Sequence, residues 1–143
     1  MNYSTAPLIS VCLCTYKRSD KLAICLDSLL KQSIDKPFEV IITDNDVEQS
    51  GKKVVAQYKD AFQRKGVSVL YLVEPIQNIA LARNLCVHSA RGPLLAFIDD
   101  DEKATPDWLA NLHTKLIETN SDGVWGPVTP EIPKSFPNWM RQS

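Results

Sequence analysis

Three consecutive aspartates, Asp99, Asp100 and Asp101, give the strongest chemical signal in the sequence. They directly follow an apolar run at residues 94–98, and adjacent carboxylates repel one another unless a positive charge neutralises them. Carboxylate oxygens suit Mg²⁺ or Mn²⁺, which proteins typically hold with one or two carboxylates together with a substrate diphosphate. The alternative is structural, because acidic residues shortly before a helix interact favourably with its dipole. Three in a row exceed that need and favour a divalent-cation site that also holds a diphosphate.

A second polar cluster, Asp44, Asn45 and Asp46, follows an apolar run at residues 38–43. Its carboxylates and amide suit hydrogen bonds to the imide edge of a uracil or to a sugar hydroxyl. The competing interpretation is a turn, because Asp and Asn side chains bond back to the local backbone. Taken alone, these residues favour the turn.

Two further segments carry groups that suit a nucleotide. Residues 14–18 contain Tyr16, whose ring can stack on a nucleobase, with a partly buried turn tyrosine as the equal alternative. Residues 78–84 begin with the helix-capping residue Asn78, offer the free amides of a helix start, and contain Arg83, whose donors suit phosphate. The alternative for Arg83 is an ordinary surface arginine. The first segment has no glycine, which argues against dinucleotide-binding and Walker loops.

The cysteines and histidines carry no signal of a metal site. No Cys-x-x-Cys or histidine-rich spacing supports zinc. His88 and His113 are isolated, and we expect them at the surface or in packing. Four cysteines lie in apolar segments, where we expect reduced thiols that pack as small hydrophobic residues: Cys12, Cys14, Cys25 and Cys86.

Apolar runs alternate with helical repeats through about 120 residues, the pattern of an α/β fold. Mostly apolar runs predict strands at residues 8–14, 38–43, 67–73 and 94–98, with a fifth at 124–125. Three- and four-residue spacing predicts helices that begin at Ser19 or Asp20, near Lys52, after the cap Asn78 and at Thr105 with Pro106.

This alternation implies right-handed crossovers and a mainly parallel, Rossmann-like sheet with helices on both faces. Ligands of such sheets bind at the carboxyl ends of the strands, where the polar clusters stand.

Composition excludes several classes of protein. The content of 44% hydrophobic and 23% charged residues excludes a disordered chain, and the length suits one compact core. A net charge of −1 provides no general field for nucleic acid or an acidic membrane. No apolar run approaches the ~20 residues that cross a bilayer, and the first residues lack a secretory signal. We therefore expect a cytoplasmic protein, free or peripheral at the inner membrane, that binds no nucleic acid.

Together these segments resemble the family 2 glycosyltransferases, which have the GT-A nucleotide-sugar fold. The resemblance covers residues 8 to about 128 and departs at Lys17, where asparagine is usual, and at Ile79, where glycine is common. Residues 9–18 resemble the family's opening strand and its threonine-tyrosine-asparagine-arginine turn, and residues 39–46 resemble the strand whose end contacts uracil. Residues 78–84 are similar to the family's alanine-arginine-asparagine helix, and residues 97–101 are similar to its Asp-x-Asp metal motif.

The resemblance implies metal-dependent transfer of a sugar from a nucleoside-diphosphate sugar, with UDP expected, to a hydroxyl of a glycan or lipid acceptor with inversion. Mn²⁺ or Mg²⁺ is the implied cofactor, with Asp99 and Asp101 as its ligands. Glu131 is the only carboxylate after Gly126, and nothing marks it as the general base. The implied nucleotide-binding residues are Cys14, Thr15, Tyr16, Arg18, Asp44, Asn45, Asp46, Arg83, Asp99 and Asp100.

The expected organisation is a GT-A-like nucleotide-sugar-binding domain at residues 1–128 and a proline-rich tail at residues 129–143, where an absent acceptor half would begin. Without that half, apolar side chains lose their cover and favour a dimer or larger oligomer. The side chains concerned are Trp125, Phe136, Trp139 and Met140.

The sequence raises three alternatives to an active enzyme. One is a noncatalytic nucleotide-sugar-binding module, and another is a truncated, inactive transferase that needs a partner. The third, a receiver-like signalling domain, needs acidic residues after the first strand and a phosphoacceptor aspartate after the third. The sequence has Cys14, Thr15 and Tyr16 at the first of these places and Glu74 with Pro75 at the second, which disfavours a receiver.

Overall fold

Strands and helices alternate along the chain in the computed structural model, which describes residues 6–132 and 135–137. The four helices and the first four strands predicted from the periodicity are confirmed, with small shifts of their bounds. In chain order the elements are β1 (Ile9–Thr15), α1 (Ser19–Leu30), β2 (Phe38–Asp44), α2 (Lys52–Arg64), β3 (Ser68–Val73), α3 (Ile79–Ser89), β4 (Leu94–Asp99) and α4 (Trp108–Thr119).

The described strands form one parallel sheet in the order β3-β2-β1-β4. Strand β1 has β2 on one side and β4 on the other, so the chain reverses its order of addition there. In register, Cys14 of β1 lies between Thr43 of β2 and Asp99 of β4. The loops that leave these three strands therefore start at the same edge of the sheet, at a topological switch point.

The core has two layers because side chains of β1 alternate between the faces of the sheet. Val11 and Leu13 are fully buried in the larger cluster, together with residues of α1 and α2. Cys12 lies in a second cluster with Ile41 of β2 and Cys86 of α3. Burial of a side chain such as Leu13 contributes about 1.5–3 kcal/mol. The predicted α/β fold with helices on both faces is confirmed.

Helix α1 does not start with the predicted cap. The residue before the helix is Arg18, which makes no capping hydrogen bond, and the Ser19 hydroxyl donates to the Ser50 carbonyl oxygen at 2.9 Å. The Ser19 side chain therefore ties α1 to the loop before α2 and does not cap its own helix.

Helix α4 begins later than predicted, at Trp108. The carbonyl oxygen of Pro106 accepts hydrogen bonds from the backbone N–H and the hydroxyl of Ser33. The Pro106 oxygen is thus bonded to Ser33, which follows α1. The first helical hydrogen bond is therefore accepted one residue later, by the Asp107 carbonyl oxygen from the Asn111 N–H at 2.8 Å.

The described chain divides into two units, Met1–Asn111 and Leu112–Ser143. The first contains the sheet and α1 to α3. The second continues α4 to Thr119 and then runs without regular structure through residue 132, so the strand predicted at residues 124–125 is absent there. Gly123, Gly126 and Pro127 flank that short apolar pair closely, and they disfavour an extended ladder. Within the described ranges, every helix is too short or too polar to cross a bilayer.

Candidate functional site

An open cavity of about 460 Å³ lies at the carboxyl ends of β1, β2 and β4, where the switch point predicts a ligand site. Its walls come from the strand exits, the turn before α3 and the first turns of α3 itself. Most of the residues expected to bind a nucleotide or metal line this cavity: Cys14, Thr15, Tyr16, Arg18, Asn45, Arg83, Asp99, Asp100 and Asp101.

Asp44 is not among the lining residues, because its carboxylate is fully buried beneath the loop. One oxygen accepts the Asp46 N–H at 3.1 Å, and the other accepts the Gly51 N–H and the Tyr71 hydroxyl, each at 2.7 Å. These bonds fix the end of β2 to the start of α2 and to β3. The structure therefore does not bring the Asp44 carboxylate to the cavity.

Asp46 also lies outside the cavity and is buried in its own turn. Burial opposes ionisation of Asp46, but the Glu48 N–H and the Ser50 hydroxyl bond to the carboxylate and lower its pKa. The oxygens of Asp44 and Asp46 make the local backbone hydrogen bonds that the turn interpretation expects. Their contact with a nucleotide stays a prediction.

Asn45 does line the cavity, and its whole side chain is engaged. The amide nitrogen donates to the carbonyl oxygens of Glu74 at 2.9 Å and Ile76 at 2.6 Å, while the amide oxygen accepts the Asn78 N–H at 2.9 Å. Asn45 thus clamps the loop after β3 against the end of β2. That loop carries Asn78 into α3, so the clamp sets where the helix begins.

Asn78 caps α3 as predicted. Its side-chain oxygen accepts the N–H groups of Ala80 at 2.9 Å and Leu81 at 3.4 Å. The expectation of free amides at this helix start is therefore wrong for these two groups, because the cap already satisfies them. The cation that α3 brings to the cavity is the guanidinium of Arg83.

The three consecutive aspartates are neutralised by basic side chains of the protein itself. Asp99 pairs with Arg83 at 3.2 Å. Arg18 lies 3.2 Å from Asp100 and 3.1 Å from Asp101. The repulsion among the three aspartates, from which the sequence predicts a divalent cation, is thus compensated by arginines of the chain itself. Lys21 is a further basic side chain, 3.7 Å from Asp101.

The three carboxylates differ in accessibility, which separates their chemical roles. Asp100 is 7% exposed and accepts the Thr15 hydroxyl at 2.8 Å, whereas the side chains of Asp99 and Asp101 are 60% and 39% exposed. No group of three or more metal-ligating side chains occurs in residues 6–132 and 135–137. Two accessible carboxylates nevertheless fit a hard cation that takes its remaining ligands from water and a diphosphate. Asp99 and Asp101 have the donor chemistry expected of them.

Tyr16 lines the cavity, and Lys17, the next residue, lies outside the lining. Tyr16 is 37% exposed, and the Lys17 ammonium lies 5.4 Å from the centre of its ring. Lys17 has a φ of 52°, in the left-handed region that asparagine adopts more readily. The family usually has asparagine at this position, and the backbone conformation of Lys17 is one that favours asparagine.

Cys14 is a half-buried thiol of the cavity wall. A hydrogen bond to Cys86 and burial both raise the pKa of Cys14, which keeps it protonated at neutral pH. Cys86 in turn lies 3.1 Å from the Thr43 hydroxyl. All four cysteines are free, and Cys12, Cys25 and Cys86 are buried, as the sequence predicts.

Sequence reasoning missed Gln77 as a lining residue and Lys21 as a partner of the acidic cluster. A signal existed for both. Gln77 directly precedes the cap Asn78, and Lys21 is three residues after Arg18, a spacing that places both side chains on one side of a helix start.

Comparison with known proteins finds a matching family and similar sequences. The sequence profile described as "Glycosyl transferase family 2" matches residues 10–143. Succinoglycan biosynthesis protein ExoM of Rhizobium meliloti is 36% identical over 93% of this chain and 42% of its own length. Validoxylamine A glucosyltransferase of Streptomyces hygroscopicus subsp. jinggangensis is 31% identical over 76% of this chain and 25% of its own length.

The fold has solved counterparts as well. S. aureus TarS 1-349, crystallised in complex with UDP, superposes with a TM-score of 0.68 and 25% identity over 86% of this chain and 38% of that one. The chain therefore spans less than half the length of these relatives, and the GT-A-like fold is confirmed. On the match over residues 10–143, this chain belongs to glycosyl transferase family 2.

Proposed function

We propose that this chain binds a nucleoside-diphosphate sugar and forms the donor half of a glycosyltransferase. The observation that carries the proposal is one cavity that combines an aromatic ring, two guanidinium groups and accessible carboxylates. A nucleobase, a diphosphate and a hard cation are recognised by these three kinds of group. UDP is the proposed nucleotide because TarS, at 25% identity, was solved in complex with it.

Different side chains of the cavity bind different parts of the nucleotide. Tyr16 stacks on the base, and Asn45 holds the neighbouring loop in place. Arg18 and Arg83, both about half exposed, donate to the diphosphate oxygens. These donors stabilise the negative charge that grows on the nucleoside diphosphate as it leaves.

Asp99 and Asp101 would hold the proposed Mn²⁺ or Mg²⁺. Such an ion, when bound, also stabilises charge on the departing diphosphate. The sugar passes to a hydroxyl of a glycan or lipid acceptor, and attack from the face opposite the diphosphate inverts the anomeric carbon.

A second candidate, a noncatalytic nucleotide-sugar-binding module that works with a partner, is favoured by the state of the cavity carboxylates. Asp99 and Asp101 are assigned to the ion, and Asp100 is buried and bonded to Thr15, so no lining carboxylate is left as a general base. Assays of sugar transfer and of donor hydrolysis with this chain separate the two. Turnover of UDP-sugar supports the transferase, and binding without turnover supports the module.

The binding proposal is tested by calorimetric titration of UDP with and without Mn²⁺. We expect binding that strengthens with Mn²⁺ and that falls at least tenfold in the double variant Asp99→Asn with Asp101→Asn, because the carboxylates no longer hold the ion. Asp60→Asn, an exposed change on α2 away from the cavity, is the matched control. Unchanged UDP affinity and unchanged Mn²⁺ dependence in the double variant would exclude the proposed site.

A further inference from the structure

Arg18 is placed where a divalent cation would act. Its guanidinium bonds to Asp100 and Asp101 at once, at 3.2 and 3.1 Å, and so holds the two carboxylates together. All three residues line the proposed donor cavity. The arginine therefore neutralises the acidic cluster as long as nothing else does.

The pairing is easily exchanged. The Arg18 side chain is 52% exposed and that of Asp101 is 39% exposed, and exposed ion pairs contribute only about 0.2–1 kcal/mol each. A diphosphate carries more charge than a carboxylate and accepts a guanidinium in bidentate fashion, so it competes well for Arg18.

The two carboxylates respond differently when Arg18 leaves. Asp100 keeps the hydrogen bond from the Thr15 hydroxyl at 2.8 Å and stays buried. Asp101 is exposed, and among residues 6–132 and 135–137 it keeps Lys21 as its one ion-pair partner, at 3.7 Å. Departure of the arginine thus leaves Asp100 fixed and frees Asp101 for another cation.

We infer that Arg18 makes divalent-cation binding depend on the nucleoside diphosphate. Without nucleotide, the guanidinium competes with the cation for Asp101. With nucleotide, the diphosphate takes the guanidinium and Asp101 becomes available to the ion. The two ligands therefore bind with positive coupling, and by linkage the ion strengthens nucleotide binding by the same factor. This inference rests on the proposed function.

The test measures binding of Mn²⁺ by electron paramagnetic resonance in the wild type, Arg18→Gln and Lys17→Gln, each with and without UDP. Binding of Mn²⁺ to UDP alone is measured in parallel and subtracted. Lys17→Gln is the matched control because it removes one positive charge from the adjacent residue. Lys17 lies outside the cavity lining, and its ammonium has no ion pair in the described part of the chain.

Without UDP, we expect Arg18→Gln to bind Mn²⁺ up to about fivefold more tightly than the wild type, the effect of removing the exposed ion pair with Asp101. Lys17→Gln should match the wild type. Addition of UDP should raise the Mn²⁺ affinity of the wild type more than that of Arg18→Gln, so that the difference shrinks.

Equal Mn²⁺ affinities of Arg18→Gln and Lys17→Gln would overturn the inference, because the effect would then be that of net charge alone. If the wild type binds UDP in a Mn²⁺-dependent manner and Arg18→Gln behaves identically, the inference fails and the proposed function stands. If the wild type binds no UDP at all, the proposed function fails, and the inference fails with it.

Discussion

At the scale of single residues, position beside a ligand cavity does not make a side chain a ligand. Asp44 and Asn45 are neighbours in sequence, yet Asp44 points into the protein and accepts three hydrogen bonds there. Asn45 lines the cavity and fixes the loop after β3. The buried carboxylate belongs to the framework of the site, and its loss should appear first in stability.

The hydrogen bond from Tyr71 to Asp44 provides a direct test of this framework. We expect Tyr71→Phe to lower the free energy of unfolding by about 1–2 kcal/mol, because a buried carboxylate loses one of its donors. Urea denaturation at pH 7 measures the change. Tyr58→Phe is the control, since that half-buried tyrosine makes no side-chain hydrogen bond within the described residues.

The hydrogen bond between Tyr71 and Asp44 also predicts that the stability of the fold depends on pH in the alkaline range. Burial and the hydrogen bond to Asp44 raise the pKa of Tyr71 above its usual value near 10. A raised pKa gives stability that is present below pH 10 and is lost as the pH rises, because the unfolded tyrosine ionises first. The stability difference between the wild type and Tyr71→Phe should therefore shrink between pH 9 and pH 11 or so. A constant difference over that range would show that Tyr71 does not stay protonated in the fold.

At the scale of elements, the turn between α3 and β4 anchors the end of the sheet opposite the cavity. Glu39 of β2 is buried and accepts the Ser10 hydroxyl at 2.7 Å and the Arg91 backbone N–H at 2.9 Å. The Arg91 guanidinium adds a hydrogen bond from Nε at 2.8 Å. Burial opposes ionisation of Glu39, but these donors outweigh it and lower its pKa.

Arg91→Ala should destabilise the protein by about 2 kcal/mol at pH 7, because a buried carboxylate loses its counter-ion. The lowered pKa of Glu39 means that its stabilising effect is present above the usual carboxyl value of 4.5 and is lost as the pH falls below it. Denaturation at pH 7 and at about pH 4 should therefore give a smaller loss at the lower pH. Lys36→Ala, which breaks only the exposed pair with Asp35, should change stability little at either pH.

Gly92, in the same turn between α3 and β4, lies close to the backbone of β1. A Cβ atom on Gly92 would lie 3.0 Å from the Ile9 carbonyl carbon and from the Ser10 nitrogen, and neither backbone atom can move cheaply. Gly92→Ala should lower the free energy of unfolding by roughly 2 kcal/mol, as overpacking does in a dense interior. Gly123→Ala, where a Cβ meets nothing within 4 Å, serves as the control in thermal unfolding.

At the scale of the whole molecule, the sequence predicted the α/β layout well because the buried parallel strands read as mostly apolar runs between helical repeats. It also predicted most of the cavity, since the carboxyl ends of neighbouring parallel strands necessarily meet. The errors at the starts of α1 and α4 have a common cause. Ser19 and Pro106 are bonded to residues distant in sequence, and local propensity carries no information on those partners.

Self-association was predicted from apolar side chains near the end of the chain, and it stays a prediction. Trp125 is 94% exposed and Phe136 is 44% exposed, while Trp139 and Met140 lie outside the described residues. The structure adds Phe97 of β4, which is 50% exposed. We expect sedimentation velocity to show a dimer or larger species. A single monomeric species from micromolar to millimolar concentration would contradict this.

Strand β4 has β1 as its one neighbour in the described sheet, so its other side presents unpaired backbone groups. That row of donors and acceptors runs up to Asp99, at the rim of the cavity. Any segment that pairs with this free edge, whether from the same polypeptide or another, would be brought by its backbone hydrogen bonds to the rim of the proposed donor cavity. Completion of the sheet and completion of the reaction centre would then be a single structural event.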